Sequence, residues 1–117
     1  MEIKTPIKFE TFNDGFVDIY ETDFNDKIIR NTRKRYFFGN ETVGIKRYYA
    51  ARQNDIDIKL VIHIHKNLNI TTENAAVIKS TRYKIVQVQH FDNKNPAITV
   101  LSLEQRGLFE GADDEVS

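Results

Sequence analysis

The chain of 117 residues has no cysteine, no tryptophan, and only five glycines and two prolines. Without cysteine, neither a disulfide nor a thiolate-bound metal can stabilise it. No apolar run approaches the roughly 18 residues that a membrane-spanning helix needs. The opening residues, MEIKTPIKFE, lack the apolar stretch of a secretory signal. Because this length suits one domain with its own core, we expect a single domain that folds without cross-links.

Charge is balanced in total but unevenly distributed. The chain has 17 basic and 17 acidic residues, whereas segment 26–52 holds eight basic and two acidic ones, 8 − 2 = +6, which leaves −6 for the remainder. Such asymmetry predicts one basic and one acidic surface, suited to a charged partner or to head-to-tail packing of identical subunits. The alternative is a highly charged loop that is simply solvated.

The apolar pattern predicts six or seven short strands and no long helix. Segments 7–12 and 16–22 flank Asn13-Asp14-Gly15, residues that tolerate positive φ, so they predict an opening β-hairpin. Further strand-like segments are 43–51, 57–65, 76–78, 82–90 and 97–103. This spacing is typical of a small β-barrel or sandwich, so we expect a mainly β domain over 1–105 and a flexible acidic tail over 106–117.

Segment 23–42 has lost the apolar alternation and is mostly charged or polar. We therefore predict a long polar loop after the first hairpin. Loops of this length are uncommon in a compact domain unless they have a function. Residues 26–40 have few apolar anchors, so we expect them to be poorly ordered in the free subunit.

Alternation also predicts the core. In segment 57–65, four apolar residues share one face, while the opposite face carries Lys59, Val61, His63 and His65. The residues expected to be buried are Ile58, Leu60, Ile62, Tyr83, Ile85 and Val100. The change of phase at Ile85-Val86 predicts a β-bulge.

Evidence for catalytic chemistry is weak. His63 and His65 have a spacing that lets both reach one metal ion, with His90 as a third ligand, but the flanking lysines disfavour a cation. We expect surface histidines on a solvent-facing strand face instead. The carboxylates of Asp55, Asp57 and Glu73 do not form an evident acid–base pair, and the glycines are too scattered for a phosphate loop. We therefore expect no enzyme activity, no metal site and no cofactor.

The run Arg33-Lys34-Arg35-Tyr36-Phe37-Phe38 combines cations with aromatic rings. Cations neutralise phosphates and rings stack on exposed bases, as in oligonucleotide-binding (OB-like) barrels. The other interpretation, which we favour, is that the aromatic residues anchor this segment in a core or a subunit interface, where aromatic residues and arginine are enriched.

The order and spacing of these segments resemble a known family. The segments that carry the resemblance are FNDGFVDIY (12–20), VGIKRYYAAR (43–52), ITT (70–72), AVIKSTRYKIVQVQ (76–89) and ITVLSLEQ (98–105). Together they resemble the head–tail joining (head-completion, or stopper) proteins of long-tailed phages that infect Gram-positive bacteria. The resemblance spans residues 12–105. It departs at Ser80-Thr81, where relatives often have an Asn-Gly or Asp-Gly turn.

The resemblance implies a structural virion protein that forms a ring below the portal and its adaptor. That ring binds the tail-completion protein and helps to retain packaged double-stranded DNA. Its location would be the virion, after assembly in the host cytoplasm, and the isolated subunit can remain a monomer.

Each expected role has its residues. The DNA-channel loop would carry Lys27, Arg30, Arg33, Lys34 and Arg35. The subunit or partner interface would include Tyr36, Phe37, Phe38, Arg47, Tyr48 and Tyr49. Two alternatives stay open, a nucleic-acid-binding β-barrel acting alone and a tail-completion protein of the same connector.

Overall fold

The computed structural model describes residues 9–41 and 57–109, which form six antiparallel strands. The strands are β1 (Gly15–Thr22), β2 (Ile28–Glu41), β3 (Ile58–His65), β4 (Ala75–Ile78), β5 (Thr81–Phe91) and β6 (Ile98–Leu108). The predicted mainly β fold is confirmed. Within these described ranges, no helix is long and apolar enough to cross a membrane.

The strands close into a barrel in the order β1-β2-β3-β6-β5-β4, with β1 hydrogen-bonded to both β2 and β4. One side of each strand faces the interior. The buried interior residues are Val17, Ile19, Phe38, Ile62, Ile64, Ile70, Ala76, Ile78, Ile85, Leu101 and Leu103. Burial of these side chains is the main driving force for closing the barrel.

A second, smaller apolar cluster lies on the outer side of β3 and β6. Val61, Ile98 and Val100 are buried there, with Phe12 and other partly buried side chains packed against them. Both faces of β3 are therefore covered from Val61 to Ile64. Strands buried on both sides do not follow the half-buried pattern that alternation assumes.

The core prediction is confirmed for Ile62, Ile85 and Val100, which are 0–5% exposed. Val100 belongs to the outer cluster rather than to the barrel interior. The other three predicted core residues, Ile58, Leu60 and Tyr83, are only partly buried and pack against the clusters from their margins.

The predicted opening hairpin is wrong, because residues 9–14 contain no strand. The Glu10 backbone N–H instead donates to the carbonyl of Asn95, 2.9 Å away, and β1 pairs with β2. We call residues 9–13 the strap, since Phe12 lies across the outer cluster. Segment 43–51, predicted as a strand, lies outside the described residues.

The long polar loop over 23–42 is also wrong, since most of that segment is β2. A short turn precedes the strand, in which the Asp23 carboxylate accepts from the N–H groups of Asn25 and Lys27 at 2.8 and 3.0 Å. Turns closed by an Asp side chain in this way are common.

A large bulge in β2 explains why the alternation is lost. Ile19 pairs with Lys34 and Glu21 pairs with Ile29, so the single residue Tyr20 faces residues 30–33. The Thr32 hydroxyl fastens the bulge, accepting from Glu21 N–H at 2.8 Å and donating to the Ile29 carbonyl at 2.6 Å. A bulge shifts the side-chain phase without ending the strand.

The second half of the chain agrees better with the sequence. The predicted bulge is present, as a register shift between Ile85 and Gln87. Lys79 and Ser80 connect β4 to β5 with φ of 50° and 65°, which is a two-residue hairpin turn with positive φ at both positions. Strand β6 continues to Leu108, beyond the predicted domain end at 105.

Candidate functional site

The outer side of the β1–β2 hairpin presents arginines between aromatic rings. Because Val17 and Ile19 point into the core, the alternate residues of β1 point outward. We define the arginine–aromatic face as the six residues Phe16, Tyr20, Arg30, Arg33, Arg35 and Phe37.

Arg35 is fixed at the centre of this face. Its Nε donates to Asp18 Oδ1 at 2.8 Å and its Nη2 to Oδ2 at 3.2 Å, which is a bidentate pair. The guanidinium also lies over the Phe16 ring, 3.9 Å from the centroid. The hydrogen bonds to Asp18, a residue only 9% exposed, raise the pKa of Arg35. Arg35 is thus a permanent cation that compensates a buried carboxylate.

Phe16 and Phe37 form the apolar end of the face. They lie directly opposite each other across β1 and β2, with ring centroids 6.5 Å apart in an edge-to-face arrangement. Both remain open to solvent, with exposures of 43% and 63%. An exposed aromatic pair next to an arginine is typical of a protein-binding surface.

The bulge supplies the other end of the face. The Arg30 guanidinium lies 4.7 Å from the centroid of the Phe109 ring, and that ring is 5.5 Å from the Tyr20 ring. The Arg33 side chain lies near the Tyr20 hydroxyl. Burial, and then the charge of Asp18, raise the pKa of Tyr20, although the two arginines act in the opposite direction. Three arginines therefore alternate with rings along one wall of the barrel.

The five cations predicted for a channel loop lie on β2 and the turn before it. Lys27 is in the turn, Arg30 and Arg33 are in the bulge, and Lys34 and Arg35 follow it. The structure thus brings them onto one hairpin, but on a strand rather than a loop. Lys34 pairs with Ile19, whereas Arg35 pairs with Asp18, so their side chains lie on opposite sides of β2.

The residues predicted for the interface are divided between surface and core. Phe37 is exposed, whereas Phe38 is 4% exposed and belongs to the barrel interior. Tyr36 packs against that interior, and its hydroxyl accepts a hydrogen bond from Asn67 Nδ2 at 3.0 Å. Phe38 is therefore a core residue because the strand alternates across the wall. Arg47, Tyr48 and Tyr49 lie outside the described residues.

Four residues of this region were not predicted from the sequence: Phe16, Asp18, Tyr20 and Phe109. Their importance follows from the register of β1 against β2, which sets Phe16 opposite Phe37 and Asp18 opposite Arg35. In the sequence alone, the spacing of Phe16 and Asp18 does not indicate which residues they contact. The FVDIY alternation does indicate which side chains share a face, once the strand is paired.

His63, on β3, is the centre of a second polar cluster. Its Nδ1 lies 2.7 Å from Glu41 Oε2, and its Nε2 lies 2.7 Å from the Thr11 carbonyl oxygen. Glu10 Oε1 is 3.7 Å from Nε2. We call these four residues the His63 clasp. His63 is 5% exposed, so the predicted solvent-facing position is wrong, since the strap covers this part of β3.

The clasp has the composition of a metal site but not the geometry. Ligand atoms of Glu10, Glu41 and His63 lie within 4.8 Å of one another. However, the two ring nitrogens point in divergent directions, and each already faces its own acceptor. A carbonyl oxygen can only accept, so Nε2 carries a hydrogen and donates to Thr11. The arrangement therefore suits a hydrogen-bonded clasp between the strap and the barrel.

The other histidines do not join this cluster. The His65 ring stacks on Phe12, with centroids 3.9 Å apart, and His90 Nδ1 lies 2.8 Å from Thr99 Oγ1. Over residues 9–41 and 57–109, the three histidines considered as ligands do not form a common site.

At the tip of the β1–β2 hairpin, Phe24 is 95% exposed beside an open, polar groove. Arg82, on the far side of this groove, donates to the Asp26 carbonyl and carboxylate at 2.9 and 3.2 Å. These contacts hold the hairpin tip against β5. They leave Phe24 itself open to solvent.

Neither a protein-family model nor a curated protein sequence matches this chain.

Proposed function

We propose that this chain is a structural, non-enzymatic connector subunit that joins the head and tail of a long-tailed phage. In this proposal it forms a ring below the portal and adaptor, helps to retain the packaged DNA, and provides a docking surface for the tail-completion protein. It would reside in the virion after assembly in the host cytoplasm. The observation that carries the proposal is the exposed arginine–aromatic face on a closed β-barrel.

The face suits contact between subunits. Phe16 and Phe37 expose aromatic surface next to Arg35, and both aromatic residues and arginine are enriched in protein interfaces. A closed ring of identical subunits uses two different surfaces of each copy. The charge difference between the basic segment 26–52 and the acidic remainder of the chain supports two such surfaces of opposite charge.

The same hairpin suits contact with DNA that is held without recognition of its base sequence. Within residues 9–41 and 57–109, Lys27, Arg33 and Lys34 form no salt bridge like that between Arg35 and Asp18. Phosphate contacts from such side chains carry no base information. Repeated around a ring, weak contacts become substantial through multivalency.

The interface is tested in phage that lack the gene for this chain and are complemented with variants. The double variant F16S/F37S should fold normally by circular dichroism but yield particles without tails. The matched control is Phe24→Ser, which removes an even more exposed ring outside the face. Normal tailed, infectious particles from F16S/F37S would refute the assignment of this face.

DNA retention needs a separate variant that spares Arg35, because that residue pairs with a buried carboxylate. We expect the triple variant Lys27→Ser, Arg33→Ser, Lys34→Ser to fold, yet to produce particles that have lost their DNA. Particles that keep a full genome would show that these cations have no part in retention.

A nucleic-acid-binding barrel acting alone is the second candidate, favoured by the alternation of arginines and rings between Phe16 and Phe109. It predicts that the isolated monomer binds short DNA with steep salt dependence and does not bind portal or tail proteins.

A pull-down with both kinds of partner also distinguishes a stopper from a tail-completion protein, since the latter contacts the tail but not the adaptor.

A further inference from the structure

An acidic segment follows directly after the arginine–aromatic face. Residues 110–117, EGADDEVS, contain four acidic side chains and no basic one, a charge of −4. Phe109, the last described residue, lies against Tyr20 and Arg30 of the face. Phe109 therefore places the start of this segment next to the arginines of the face.

We propose that residues 110–117 bind in cis along the arginine–aromatic face and compete there with polyanions such as nucleic acid. This inference concerns the isolated subunit and does not depend on the proposed connector function.

The distances fit this occupant. The eight residues span at most about 29 Å when extended. The register of β1 against β2 sets Ile29 opposite Glu21 and Lys34 opposite Ile19, so the bulge keeps Arg30 and Arg33 within roughly 7 Å of each other along the strand axis. Asp113, Asp114 and Glu115 are four to six residues beyond Phe109, which corresponds to roughly 13–20 Å of extended chain. These acidic residues are thus far enough along the chain to reach Arg33.

The segment starts from a fixed point. The Phe109 N–H donates to the Ser80 carbonyl at 2.7 Å, and the Phe109 ring contacts both Tyr20 and Arg30. This attachment gives the following residues a high effective concentration at the face, which a free peptide lacks. Exposed ion pairs are individually weak and screened by salt, so the segment remains displaceable. A more highly charged polyanion can therefore replace it.

Disulfide trapping tests the position directly, since the chain has no native cysteine. Cysteines at Asn31, in the bulge, and at Ala112 should cross-link within one chain under mild oxidation, less so in high salt. The matched control pairs Ala112→Cys with Asn93→Cys, an exposed position at the other end of β6. Equal cross-linking of the two pairs, or cross-linking only between chains, would overturn binding in cis.

Competition is tested with two variants that change the net charge equally. Neutralising Asp113, Asp114 and Glu115 should strengthen binding of short duplex DNA several-fold over the control variant at low salt. The control neutralises three exposed acidic residues outside the face, Asp57, Glu73 and Asp92. The difference should vanish at high salt, because the competing contacts are ionic. Equal DNA affinity of the two variants would contradict the proposal.

Discussion

The His63 clasp and the arginine–aromatic face hold their charged and polar groups in opposite environments. In the clasp, His63 is 5% exposed and both of its ring nitrogens face oxygen acceptors. On the face, Phe37 is exposed and Arg33 is open to solvent. Buried polar groups are costly when one partner is removed, whereas exposed ion pairs contribute little to stability. The comparison indicates that the clasp maintains the fold and the face is available for binding.

The clasp holds the strap against the barrel, a structural role that the face does not have. It connects the strap, through Glu10 and Thr11, to the end of β2 at Glu41 and to the middle of β3 at His63. The strap in turn covers the outer apolar cluster with Phe12. Loss of the clasp should therefore expose apolar surface as well as polar groups.

The largest expected effect is that of His63→Ala. It leaves the Glu41 carboxylate and the Thr11 carbonyl without their hydrogen-bond partner, and each buried polar group left unsatisfied costs about 1–3 kcal/mol. Urea denaturation gives the loss in free energy of unfolding. The control is His65→Ala, which removes an exposed ring stacked on Phe12 and should cost about 1 kcal/mol. Equal losses for the two variants would show that the clasp does not stabilise the fold.

Gly39→Ala should have the next largest effect. A Cβ at this position would clash with the Thr11 carbonyl oxygen and with the His63 ring, so the strap must move. Overpacking of this kind costs about 1–3 kcal/mol. The imidazole signals of His63 in an NMR spectrum should shift as well. Asn40→Ala, at the exposed neighbouring position, should leave both stability and these signals almost unchanged, and a similar response to both substitutions would refute the close approach at Gly39.

Alternation in the sequence predicted most of the barrel, including β3, β5, β6 and the bulge after Ile85. It failed at β2, because residues 30–33 form a bulge that interrupts the period while the backbone stays extended. It failed at the strap as well, where an alternating segment packs over the barrel instead of joining the sheet. Whether such a segment joins the sheet depends on tertiary packing, which the local sequence pattern does not show.

The candidate site was predictable by residue type but not by position. The run around Arg35 correctly indicated cations next to aromatic rings, whereas the partner of Arg35, Asp18, depends on strand register. The buried state of His63 depends on the strap, which is distant in sequence. Lys79-Ser80 adopts a turn that favours Asn-Gly, so its positive φ values were hard to predict from side chains that rarely adopt them.

Arg35 is an exception to the contrast between a buried clasp and an exposed face. This exposed residue of the face pairs with the buried carboxylate of Asp18. Arg35→Ala should destabilise the protein measurably more than Lys34→Ala, its exposed neighbour, since only the former leaves the Asp18 carboxylate unpaired. Adding Asp18→Asn to Arg35→Ala should recover part of the loss. Strictly additive effects in this double-mutant cycle would show that the two residues are not coupled.

The smallest expected effect is a change in alkaline stability through Tyr20, which lies two residues after Asp18 on β1. Burial and the Asp18 charge raise its pKa above the ordinary value of 10.0. Between that value and the folded-state pKa, the unfolded chain loses the phenolic proton first and so binds fewer protons than the folded protein. Stability must then fall as the pH rises above 10, and it is fully present below that pH. Tyr20→Phe should make this decline shallower in urea titrations. Asp18→Asn should let Tyr20 ionise at lower pH, observed as tyrosinate absorbance in the difference spectrum against the Phe variant. An unchanged titration in Asp18→Asn would mean that the Asp18 charge does not reach Tyr20, and that Arg35 alone compensates it.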